Sequence, residues 1–433
     1  MRIVGVSFIA KGLETYIILR ELERFMNLQK LSSECLSCPS PRCQRGCPTH
    51  NLIRDFILGC KKEDYPSAAK ILYSVNPFPE LTSLLCDHKR QCQGSCIKGI
   101  KGVPVAIPDI EFALARIGER DLSKKSSNGL SIALVGAGIS NLTAAYFLLK
   151  EGYAVDICEK EAFLGGAIAT GIPSFRFDKA PLKAIEDDLK KLGAAFRFST
   201  SVGKDVSLDE LRSKHSYVIL GLGASKNNSV GFSCKKGLVS GLDLLYDLNV
   251  ANKQNDYERY ASCCVWGGGN VALDCARSMR RLGKEVTIVY RRSLAEMPGS
   301  EEEIKGALEE GVKIAFLTNV KDLIKNKDEE LIGLRLVKME LGEMDASHRA
   351  SCHEIPGSEF AVDCALLISA IGQKSDFSSL KKEIVPMVGH LSNLDGVYLT
   401  GDCFFGAKNI ASCISDGREC AQEIIAASCL ANP

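Results

Sequence analysis

Seven cysteines near the start of the chain lie in two tight groups whose spacing suits a metal or iron–sulfur site. The groups are Cys35-x2-Cys38-x4-Cys43-x3-Cys47 and Cys86-x5-Cys92-x3-Cys96. Thiolates bind soft metals, and four ligands per centre is the usual number for an iron–sulfur cluster. Seven cysteines therefore complete one such centre and leave three for a second. Structural zinc, which also uses Cys-x2-Cys pairs, is the alternative.

A glycine turn follows the first predicted strand and precedes a helix. In Gly136-Ala137-Gly138 the missing side chains let backbone N–H groups approach a pyrophosphate at the helix N-terminus. Glu159 lies 21 residues beyond Gly138, at the end of the next predicted strand, where a carboxylate accepts the two ribose hydroxyls. The unit predicts dinucleotide binding, with Asn141 standing where glycine or alanine is usual. A tight turn without a ligand is the alternative.

A second glycine turn, Gly267 to Ala272, opens another unit of the same kind, but its following strand ends in Tyr290-Arg291-Arg292. Guanidinium groups bind a 2′-phosphate through charge-assisted, bidentate hydrogen bonds, whereas a carboxylate repels it. This unit is therefore predicted to prefer NADPH over NADH, and a solvated basic strand end is the alternative. One lobe ending in glutamate and one ending in arginine are what a flavin enzyme that takes hydride from NADPH requires.

The remaining cysteines show no pattern of their own. Cys60 continues the apolar spacing of Ile53, Phe56 and Ile57 and is predicted to lie in a core. The other eleven of the 19 cysteines contain no Cys-x-x-Cys pair, which argues against a disulfide relay and for small buried side chains. The six histidines show no metal-binding spacing, and no acid–base catalyst is expected.

Several structural regions must position these residues. Apolar residues three and four apart at 52–58 and 65–72 predict short helices between the two cysteine groups. A polar stretch at 120–129 predicts a linker. Beyond it, each glycine turn lies in a strand–turn–helix–strand unit, at 131–159 and at 263–290, which predicts two nucleotide-binding lobes. Further strands and a final helix are expected in the tail that begins at residue 361.

Composition excludes several classes of protein. The 433 residues hold 54 Lys and Arg against 53 Asp and Glu, so a formal net charge of +1 leaves no overall attraction to nucleic acid or to an acidic membrane. Lys11 and Glu14 interrupt the apolar start, which argues against a signal peptide, and no apolar run reaches the roughly 18 residues of a membrane span. A reducing cytoplasm is the expected compartment, because clustered cysteines there bind metal or do redox chemistry more often than they form disulfides.

With these motifs in this order, the chain resembles the small (beta) subunit of bacterial glutamate synthase and its relatives. These include the N-terminal half of dihydropyrimidine dehydrogenase and the NADPH-dependent ferredoxin oxidoreductases. The resemblance covers nearly the whole chain. Besides both cysteine groups it is carried by Asn76-Pro77-Phe78-Pro79, Gly165-Gly166, Gly171 to Arg176 (GIPSFR), Gly267 to Asp274 (GGGNVALD), Val286 to Arg292 (VTIVYRR) with Met297-Pro298, Ala370 to Gln373 (AIGQ), Gly401-Asp402 and Asp416 to Arg418 (DGR).

The fold expected is α/β, with two Rossmann-like domains, for FAD and NAD(P), of the pyridine-nucleotide-disulfide-oxidoreductase type, preceded by a helical iron–sulfur domain. The helical domain is assigned to residues 1–126. The FAD domain is assigned to 127–228 together with 362–433, and the NADP domain to 229–361. The chain has no length left for a barrel, and its start, Met1-Arg2, lacks the N-terminal cysteine nucleophile of a glutaminase, so glutamate synthesis itself is not expected of it.

The resemblance also implies ligands for two [4Fe-4S] clusters, FAD and NADPH. One cluster takes Cys35, Cys38, Cys43 and Cys96, and the other takes Cys47, Cys86 and Cys92 with Glu111, which stands where relatives have Gln or Glu. The implied FAD contacts are Gly136, Ala137, Gly138, Glu159, Lys160, Gly166, Arg176, Val202, Gly401, Asp402 and Ile410. The implied NADPH contacts are Gly268, Gly269, Asn270, Arg291, Arg292, Ala370 and Gly372.

The activity implied is transfer of hydride from NADPH to FAD and then of single electrons to the clusters and an acceptor. A larger synthase-type subunit, a ferredoxin or a small molecule is the expected acceptor. Two segments depart from the family pattern: Ser83 to Asp87 replaces Gly-Arg-Val-Cys-Pro, and Gly138 to Asn141 replaces Gly-Pro-Ala-Gly. A non-catalytic scaffold that keeps clusters or zinc but has lost FAD through Asn141 is the alternative, and a disulfide reductase is a less favoured one.

Overall fold

The computed structural model describes residues 28–344 and 350–431. The expectations drawn from Met1-Arg2 and from the apolar start lie outside the described residues. Between residue 28 and the first strand, the structure describes six short helices. They are α1 (Leu28–Ser33), α2 (Arg42–Arg45), α3 (Ile53–Lys61), α4 (Tyr65–Val75), α5 (Pro79–Leu85) and α6 (Ile107–Ile117), with a 3₁₀ turn at Ile97–Ile100.

The helices before the first sheet form because the sequence stabilises their N-termini and gives them apolar faces to bury. Asp64 caps α4 by accepting a hydrogen bond from the Ser67 N–H, and α4, α5 and α6 each carry a proline in the first turn, where its missing N–H costs nothing. One face of α3 buries Phe56, Ile57 and Cys60. These side chains share a core with residues of α4 and α6, so the helices fix the loops that carry both cysteine groups.

The rest of the described chain contains sixteen strands and nine helices. The strands are β1 (Ser131–Val135), β2 (Ala154–Cys158), β3 (Ala195–Arg197), β4 (Tyr217–Leu220), β5 (Lys226–Asn227), β6 (Leu238–Ser240), β7 (Ser262–Trp266), β8 (Glu285–Val289), β9 (Lys313–Ala315), β10 (Thr318–Lys325), β11 (Leu331–Met344), β12 (Ala350–Glu354), β13 (Phe360–Asp363), β14 (Leu367–Ser369), β15 (Gln373–Lys374) and β16 (Val397–Leu399). The helices are α7 (Ile139–Lys150), α8 (Ala167–Thr170), α9 (Ala180–Leu192), α10 (Leu208–Lys214), α11 (Gly241–Asn249), α12 (Asn270–Arg281), α13 (Glu301–Glu309), α14 (Asp402–Phe405) and α15 (Ile410–Ala431).

The first sheet is parallel throughout, with strand order β16-β4-β1-β2-β3. Its central strand β1 is almost entirely buried, which is why its sequence is a continuous apolar run and not an alternating one. The glycine turn that follows β1 leads directly into α7. Because the sheet is parallel, the ends of β1, β4 and β16 lie along one edge, where nucleotides bind in folds of this kind.

The second sheet is also parallel and has the order β6-β14-β7-β8-β9. In this sheet β14 lies between β6 and β7, whereas the sequence assigns residues from 362 onward to the first lobe. The chain rejoins the first sheet only at β16. A short buried apolar run such as Leu366 to Ile368 suits either parallel sheet equally well, so its sequence does not identify its partner strands.

A third sheet is antiparallel and contains β10, β11, β12 and β13, while β5 and β15 form a separate two-stranded pairing. The chain divides into two compact units. The first contains residues up to 163, 180–221 and 384 onward, and the second contains 164–179 and 222–383. Across 28–344 and 350–431, no helix combines the length and the apolar character needed to cross a bilayer.

Candidate functional site

Four of the predicted cluster ligands line one cavity in the helical region, and we call them the first quartet. Cys35 and Cys38 follow α1, Cys43 lies in α2, and Cys96 immediately precedes the turn at Ile97–Ile100. The pKa of the Cys43 thiol is raised to about 11, mainly by burial and in smaller part by the nearby Cys96, Cys35 and Cys38 thiolates. Four soft donors gathered in this way have the chemistry of a site for an iron–sulfur cluster.

The other predicted ligands, Cys47, Cys86, Cys92 and Glu111, form a second group, which we call the second quartet. Burial raises the pKa of the Cys92 thiol, and the charges of Glu111 and Cys47 add to the rise. Burial also raises the pKa of the Cys86 thiol, again with contributions from Glu111, Cys47 and Cys92. The structure therefore gathers three thiols and one carboxylate in the interior of the first unit.

The carboxylate of Glu111 is oriented by three neighbours that all bind the same oxygen. Oε1 accepts hydrogen bonds from the Thr82 hydroxyl at 2.5 Å and from the amides of Asn76 at 3.2 Å and Asn51 at 3.4 Å. Burial raises the pKa of Glu111 to about 7, against the opposing effect of these donors. None of the hydrogen bonds within the described residues uses Oε2, so that atom is left for a ligand beside the three thiols.

The second quartet also touches the first turn of α15. The backbone N–H of Ala411 donates a hydrogen bond to the Cys86 thiol, and the Thr49 hydroxyl donates to the Ala411 carbonyl at 3.4 Å. Ala411 follows Ile410, one of the predicted FAD contacts. These contacts bring the second quartet close to the predicted flavin site within the first unit.

A single zinc ion and a four-iron cluster need different spacings between their thiolate ligands. Within 28–344 and 350–431, no three His, Cys, Asp or Glu side chains are gathered closely enough to hold one metal ion. A tetrahedral zinc site, with Zn–S bonds of about 2.3 Å, holds its thiolates about 4 Å apart. A four-iron cluster binds each thiolate through a different iron atom and therefore fits ligands that stand further apart.

The first glycine turn has the shape of a phosphate cradle. Gly136 has φ +96°, and a Cβ there would lie 2.6 Å from the Gly221 carbonyl oxygen, while a Cβ on Gly138 would meet nothing within 4 Å. Gly138 is the N-cap of α7 and leaves the N–H groups of the first turn open to an anion. Glu159 is buried and accepts hydrogen bonds from the Ala137 N–H at 2.6 Å and the Glu161 N–H at 2.9 Å. Burial raises the pKa of Glu159.

Asn141, the residue that departs from the usual glycine pattern, supports the turn from inside. Its amide donates to the carbonyl oxygens of Val135 at 2.9 Å and Gly136 at 2.7 Å. A Cβ on Gly221 would lie 2.5 Å from the Asn141 side chain, so the larger residue fits because its neighbour has no side chain. Sequence comparison with the usual pattern marks Asn141 as a departure, but it does not reveal the matching glycine at the end of β4.

The far end of the predicted FAD site is held by Asp416, Thr400 and Ser140, none of which is among the predicted FAD contacts. Gly401 has φ +71°, and its N–H donates to Asp416, which also accepts a hydrogen bond from the Thr400 hydroxyl at 2.6 Å. Thr400 in turn bonds the Ser140 hydroxyl at 2.5 Å, which joins this turn to α7. The motif Asp416 to Arg418 was visible in the sequence, and only the structure shows which backbone group it supports.

His390 completes this network on the other side of Asp416. Its Nε2 lies 3.1 Å from an Asp416 oxygen and its Nδ1 lies 2.9 Å from a Glu423 oxygen, while its ring lies 4.8 Å from that of Phe404. Burial lowers the pKa of His390, but the two carboxylates outweigh burial and raise it. Burial also raises the pKa of Asp402, the predicted flavin contact that begins α14.

The remaining predicted FAD contacts differ in exposure and do not all lie in the same unit. Lys160 is exposed after β2, and Val202 is buried and pairs with Val206 through an isolated bridge. Gly166 and Arg176 belong to the second unit and not to the unit that holds the first glycine turn. Arg176 is bound there by both oxygens of Asp274, at 2.8 and 2.7 Å, and by Glu303. These partners are distant in sequence, so the motif alone did not reveal them.

The predicted NADPH contacts at the second glycine turn converge at the ends of β7 and β14. Gly267 has φ +141°, and a Cβ there would lie 2.3 Å from the Ala370 carbonyl oxygen; a Cβ on Gly268 would lie 2.6 Å from the Tyr290 ring. Gly269 is the N-cap of α12, and a Cβ on it would meet nothing within 4 Å. The Asn270 side chain accepts a hydrogen bond from the Ser300 N–H at 2.9 Å. Gly372, with φ +109°, follows β14.

The two arginines after β8 have different surroundings. Arg292 is only 5% exposed, and its Nε donates to the Ala350 carbonyl at 2.6 Å. Arg291 is exposed to solvent. Arg291 is therefore the more accessible of the two guanidinium groups at this strand end, and its contact with a 2′-phosphate stays a prediction.

Comparison with protein families identifies two matching regions. Residues 19–120 match the family described as dihydropyrimidine dehydrogenase domain II, 4Fe-4S cluster. Residues 130–417 match the pyridine nucleotide-disulphide oxidoreductase family. The mycobacterial structure titled "Mycobacterium tuberculosis FprA in complex with NADPH" is similar in fold, with a TM-score of 0.61 at 19% identity over 70% of this chain and 85% of that one.

Curated relatives share about three residues in ten with the chain. The NADP(+)-dependent formate dehydrogenase subunit beta of Moorella thermoacetica is 31% identical over 88% of this chain, which spans only 59% of that protein. The glutamate synthase [NADPH] small chain of Azospirillum brasilense is 30% identical over 91% of this chain and 87% of its own length. The corresponding small chain of Escherichia coli is 29% identical, with 91% and 90% covered.

The α/β fold with two parallel Rossmann-like sheets, expected from the sequence, is confirmed, as is the resemblance on which that expectation rests. The family match extends over most of the chain and includes both glycine turns, while the cysteine groups lie inside the matched 4Fe-4S domain. The chain therefore belongs to the pyridine nucleotide-disulphide oxidoreductase family, as an iron–sulfur oxidoreductase similar to the small chains of glutamate synthase.

Proposed function

We propose that the chain is an NADPH-dependent reductase that holds one FAD and two [4Fe-4S] clusters. When bound, FAD accepts a hydride from NADPH and supplies single electrons to iron–sulfur clusters. The observation that carries the proposal is the separation of eight side chains into two sets of four, with the second quartet in contact with the first turn of α15. The first quartet, the second quartet and the two glycine turns supply the four binding sites required.

The second quartet is proposed to bind a cluster through three thiolates and Glu111. In support, Thr82, Asn76 and Asn51 bind Oε1 and orient the carboxylate while leaving Oε2 for iron. An oxygen ligand is unusual for a cluster and would change its potential relative to a four-thiolate centre. Because three donors hold the same oxygen of Glu111, the position of its carboxylate beside the thiols is not accidental.

For FAD, the donor chemistry fits at both ends of the site. The N-terminus of α7 offers backbone N–H groups, Glu159 keeps acceptor capacity for ribose hydroxyls, and Asp416 fixes the Gly401 backbone. In this proposal residues 28–126 hold the clusters, residues 127–228 with the C-terminal part of the chain hold FAD, and residues 229–361, with β14 added, hold NADPH. The role of the chain's own residues is to bind and orient, with no acid–base group.

The acceptor is proposed to be a protein partner or a small molecule outside this chain. In support, the relatives from Moorella and from glutamate synthase are named as a beta subunit and as small chains. A larger synthase-type subunit and a ferredoxin are both compatible with that relation. An enzyme that works as a subunit needs a surface near its iron–sulfur sites through which to meet its partner.

Anaerobic purification with an absorption spectrum and a metal count tests the proposal. The expected result is a flavin spectrum that NADPH bleaches faster than NADH, and about eight iron atoms per chain without zinc, as two four-iron clusters require. The absence of flavin would favour the scaffold alternative, and zinc in place of iron would remove the clusters from the proposal.

Single substitutions assign the metal to its quartets. Cys86→Ser is expected to lose about half of the iron, because one four-ligand centre is broken and the other is intact. Glu111→Ala is expected to do the same, whereas the exposed residues Cys429 and Glu119 provide matched controls in Cys429→Ser and Glu119→Ala. Full iron content in Glu111→Ala would show that the carboxylate is not a ligand.

A further inference from the structure

The helical region that carries the cysteines is more positive than the chain as a whole. Residues 28–117 contain twelve Lys and Arg against eight Asp and Glu, an excess of four positive charges in a chain whose net charge is +1, and Glu34 is ion-paired with Lys98 in this region. Arg42, Arg45 and Lys101 are exposed in this region. An excess of this size on one small region creates a positive potential that attracts anionic partners.

Exposed apolar side chains lie among these cations. Leu36 is 60% exposed, Ile100 65% and Val103 77%, and Ile97 is also exposed. Leu36, Arg42 and Ile97 line the same cavity as the four thiols of the first quartet. We call the surface formed by Leu36, Arg42, Ile97, Ile100, Lys101 and Val103 the cluster face. Apolar side chains surrounded by charges are the usual composition of a protein interface with a polar rim.

The two quartets differ in their access to this surface. Cys47, Cys92 and Glu111 of the second quartet are buried, and that quartet touches Ala411 of α15. The thiols of the first quartet are partly exposed and line a cavity whose wall includes Leu36, Arg42 and Ile97 of the cluster face. A partner that seats on this face therefore comes closest to the first quartet.

We propose that the cluster face is the docking site of an acidic, one-electron redox protein. The inference rests on the proposed function, since it assigns a partner class to the same iron–sulfur sites. Complementary charge would steer the partner and raise its association rate, and the exposed apolar side chains would hold it over the first quartet. A nucleic acid would satisfy the cations but would leave Leu36, Ile97, Ile100 and Val103 without an extended apolar counterpart, and an anionic lipid surface is distinguished from a protein partner by the vesicle arm of the test below.

Binding of a purified acidic 2[4Fe-4S] ferredoxin to the anaerobic holoenzyme tests the docking site without relying on turnover. Titration calorimetry at low salt is expected to show saturable binding that weakens at least about tenfold by 0.3 M NaCl, as steering by charge requires. Cytochrome c, a basic one-electron protein, is expected not to bind. Binding of cytochrome c with equal affinity, or ferredoxin binding that is insensitive to salt, would overturn the proposal.

Two matched variants locate the site. Arg42→Glu with Lys101→Glu is expected to weaken ferredoxin binding at low salt about tenfold or more. Lys183→Glu with Lys204→Glu makes the same change in net charge at exposed positions outside the cluster face and is expected to leave the affinity within about twofold. Equal losses in both variants would show that only net charge matters and would overturn the assignment.

A second variant keeps the test decisive if Arg42→Glu disturbs the adjacent cysteines. Ile100→Ser with Val103→Ser changes no charge, so its affinity is expected to fall about threefold or more while the salt dependence is retained. Unchanged affinity in this variant, or tight binding of heparin and phosphatidylserine vesicles without ferredoxin binding, would overturn the proposal. The metal and flavin count of the same preparation tests the proposed function separately, so the two can fail independently.

Discussion

Adjacent arginines at the end of β8 show how much burial adds to a sequence motif. The pair Arg291-Arg292 predicts a site for a 2′-phosphate, but the sequence treats the two residues alike. The structure buries Arg292 against the Ala350 carbonyl and leaves Arg291 exposed. Both residues lie in a bend after β8 has ended at Val289, so the alternation of a strand does not decide which of them faces the solvent, and only the folded contacts show it.

The two arginines are therefore expected to respond differently to substitution. Arg291→Ala should raise the KM for NADPH about tenfold or more with little change for NADH, because it removes a charge-assisted bond to the 2′-phosphate. Arg292→Ala should instead lower the free energy of unfolding by about 1–3 kcal/mol, since it leaves the Ala350 carbonyl without its donor. Steady-state kinetics with both nucleotides and urea unfolding separate the two effects. Equal effects of Arg291→Ala on NADPH and NADH would contradict the assignment.

The sequence predicts a set of ligand residues, but it does not predict the residues that hold those ligands in place. The cysteine spacing and the family resemblance predict two sets of cluster ligands, whose ligand role stays a prediction; four of the cysteines line one cavity, and Cys47, Cys86, Cys92 and Glu111 act on one another electrostatically. Thr82, Asn76 and Asn51, which orient Glu111, were not expected, because hydrogen bonds between distant side chains leave no periodic signal in the chain. Arg176 is a second example: the motif names this residue, but its partners Asp274 and Glu303 are distant in sequence.

At the scale of elements, the first glycine turn depends on the fit between α7 and the end of β4. In the usual pattern a small third residue lets the helix approach the strand. Here Asn141 fills that space and bonds the carbonyls of Val135 and Gly136, and Gly221 makes room for it. The departure from the pattern is matched by a second residue, so the scaffold alternative loses the observation that motivated it.

This fit predicts an energetic coupling between Asn141 and Gly221. Gly221→Ala should destabilise the protein by about 1–3 kcal/mol, because its Cβ would lie 2.5 Å from the Asn141 side chain. The same change made with Asn141→Ala should cost less, giving a coupling of about 1 kcal/mol or more in a double-mutant cycle measured by urea unfolding. Gly102→Ala, whose Cβ would meet only one atom within 4 Å, is the control. Additive effects in the cycle would argue against the fit.

The turn between β16 and α14 is expected to respond to pH through His390. Asp416 and Glu423 raise the pKa of His390 above its value in the unfolded chain, so the stabilisation from the charged ring is fully present below about pH 6.5 and is lost as pH rises through the raised pKa. The difference in unfolding free energy between wild type and His390→Gln should therefore shrink as pH rises from 6 towards 9. The exposed residue His353 supplies the control variant, His353→Gln. A difference that grows with pH would show the opposite sign of linkage.

At the scale of the whole molecule, the order of the domains was predictable, and one boundary was not. Two periodic strand–turn–helix–strand units imply two parallel sheets, because each glycine turn must follow a strand and precede a helix. The order of strands within a sheet depends on pairing between distant segments, which is why β14 joins the second sheet although it follows the antiparallel strands β10–β13. The helical region has a core of its own, built from residues of α1, α3, α4 and α6, with five of the predicted ligand cysteines packed against or within it.

Because the helical region has a core of its own, removal of iron is expected to destabilise this region before the rest of the chain. Ligand thiols of both quartets are packed with the helical core, so binding of metal in the native state stabilises this region by mass action, and stripping the metal removes that contribution. Removal of iron by an anaerobic chelator should make residues 28–117 the first target of trypsin, at sites such as Arg54 and Lys61, while β1 to β9 stay protected. Mass spectrometry of the early fragments gives the order of cleavage, with untreated protein as the control. First cuts within 131–315, or unchanged protection of 28–117, would contradict the dependence of this core on its clusters.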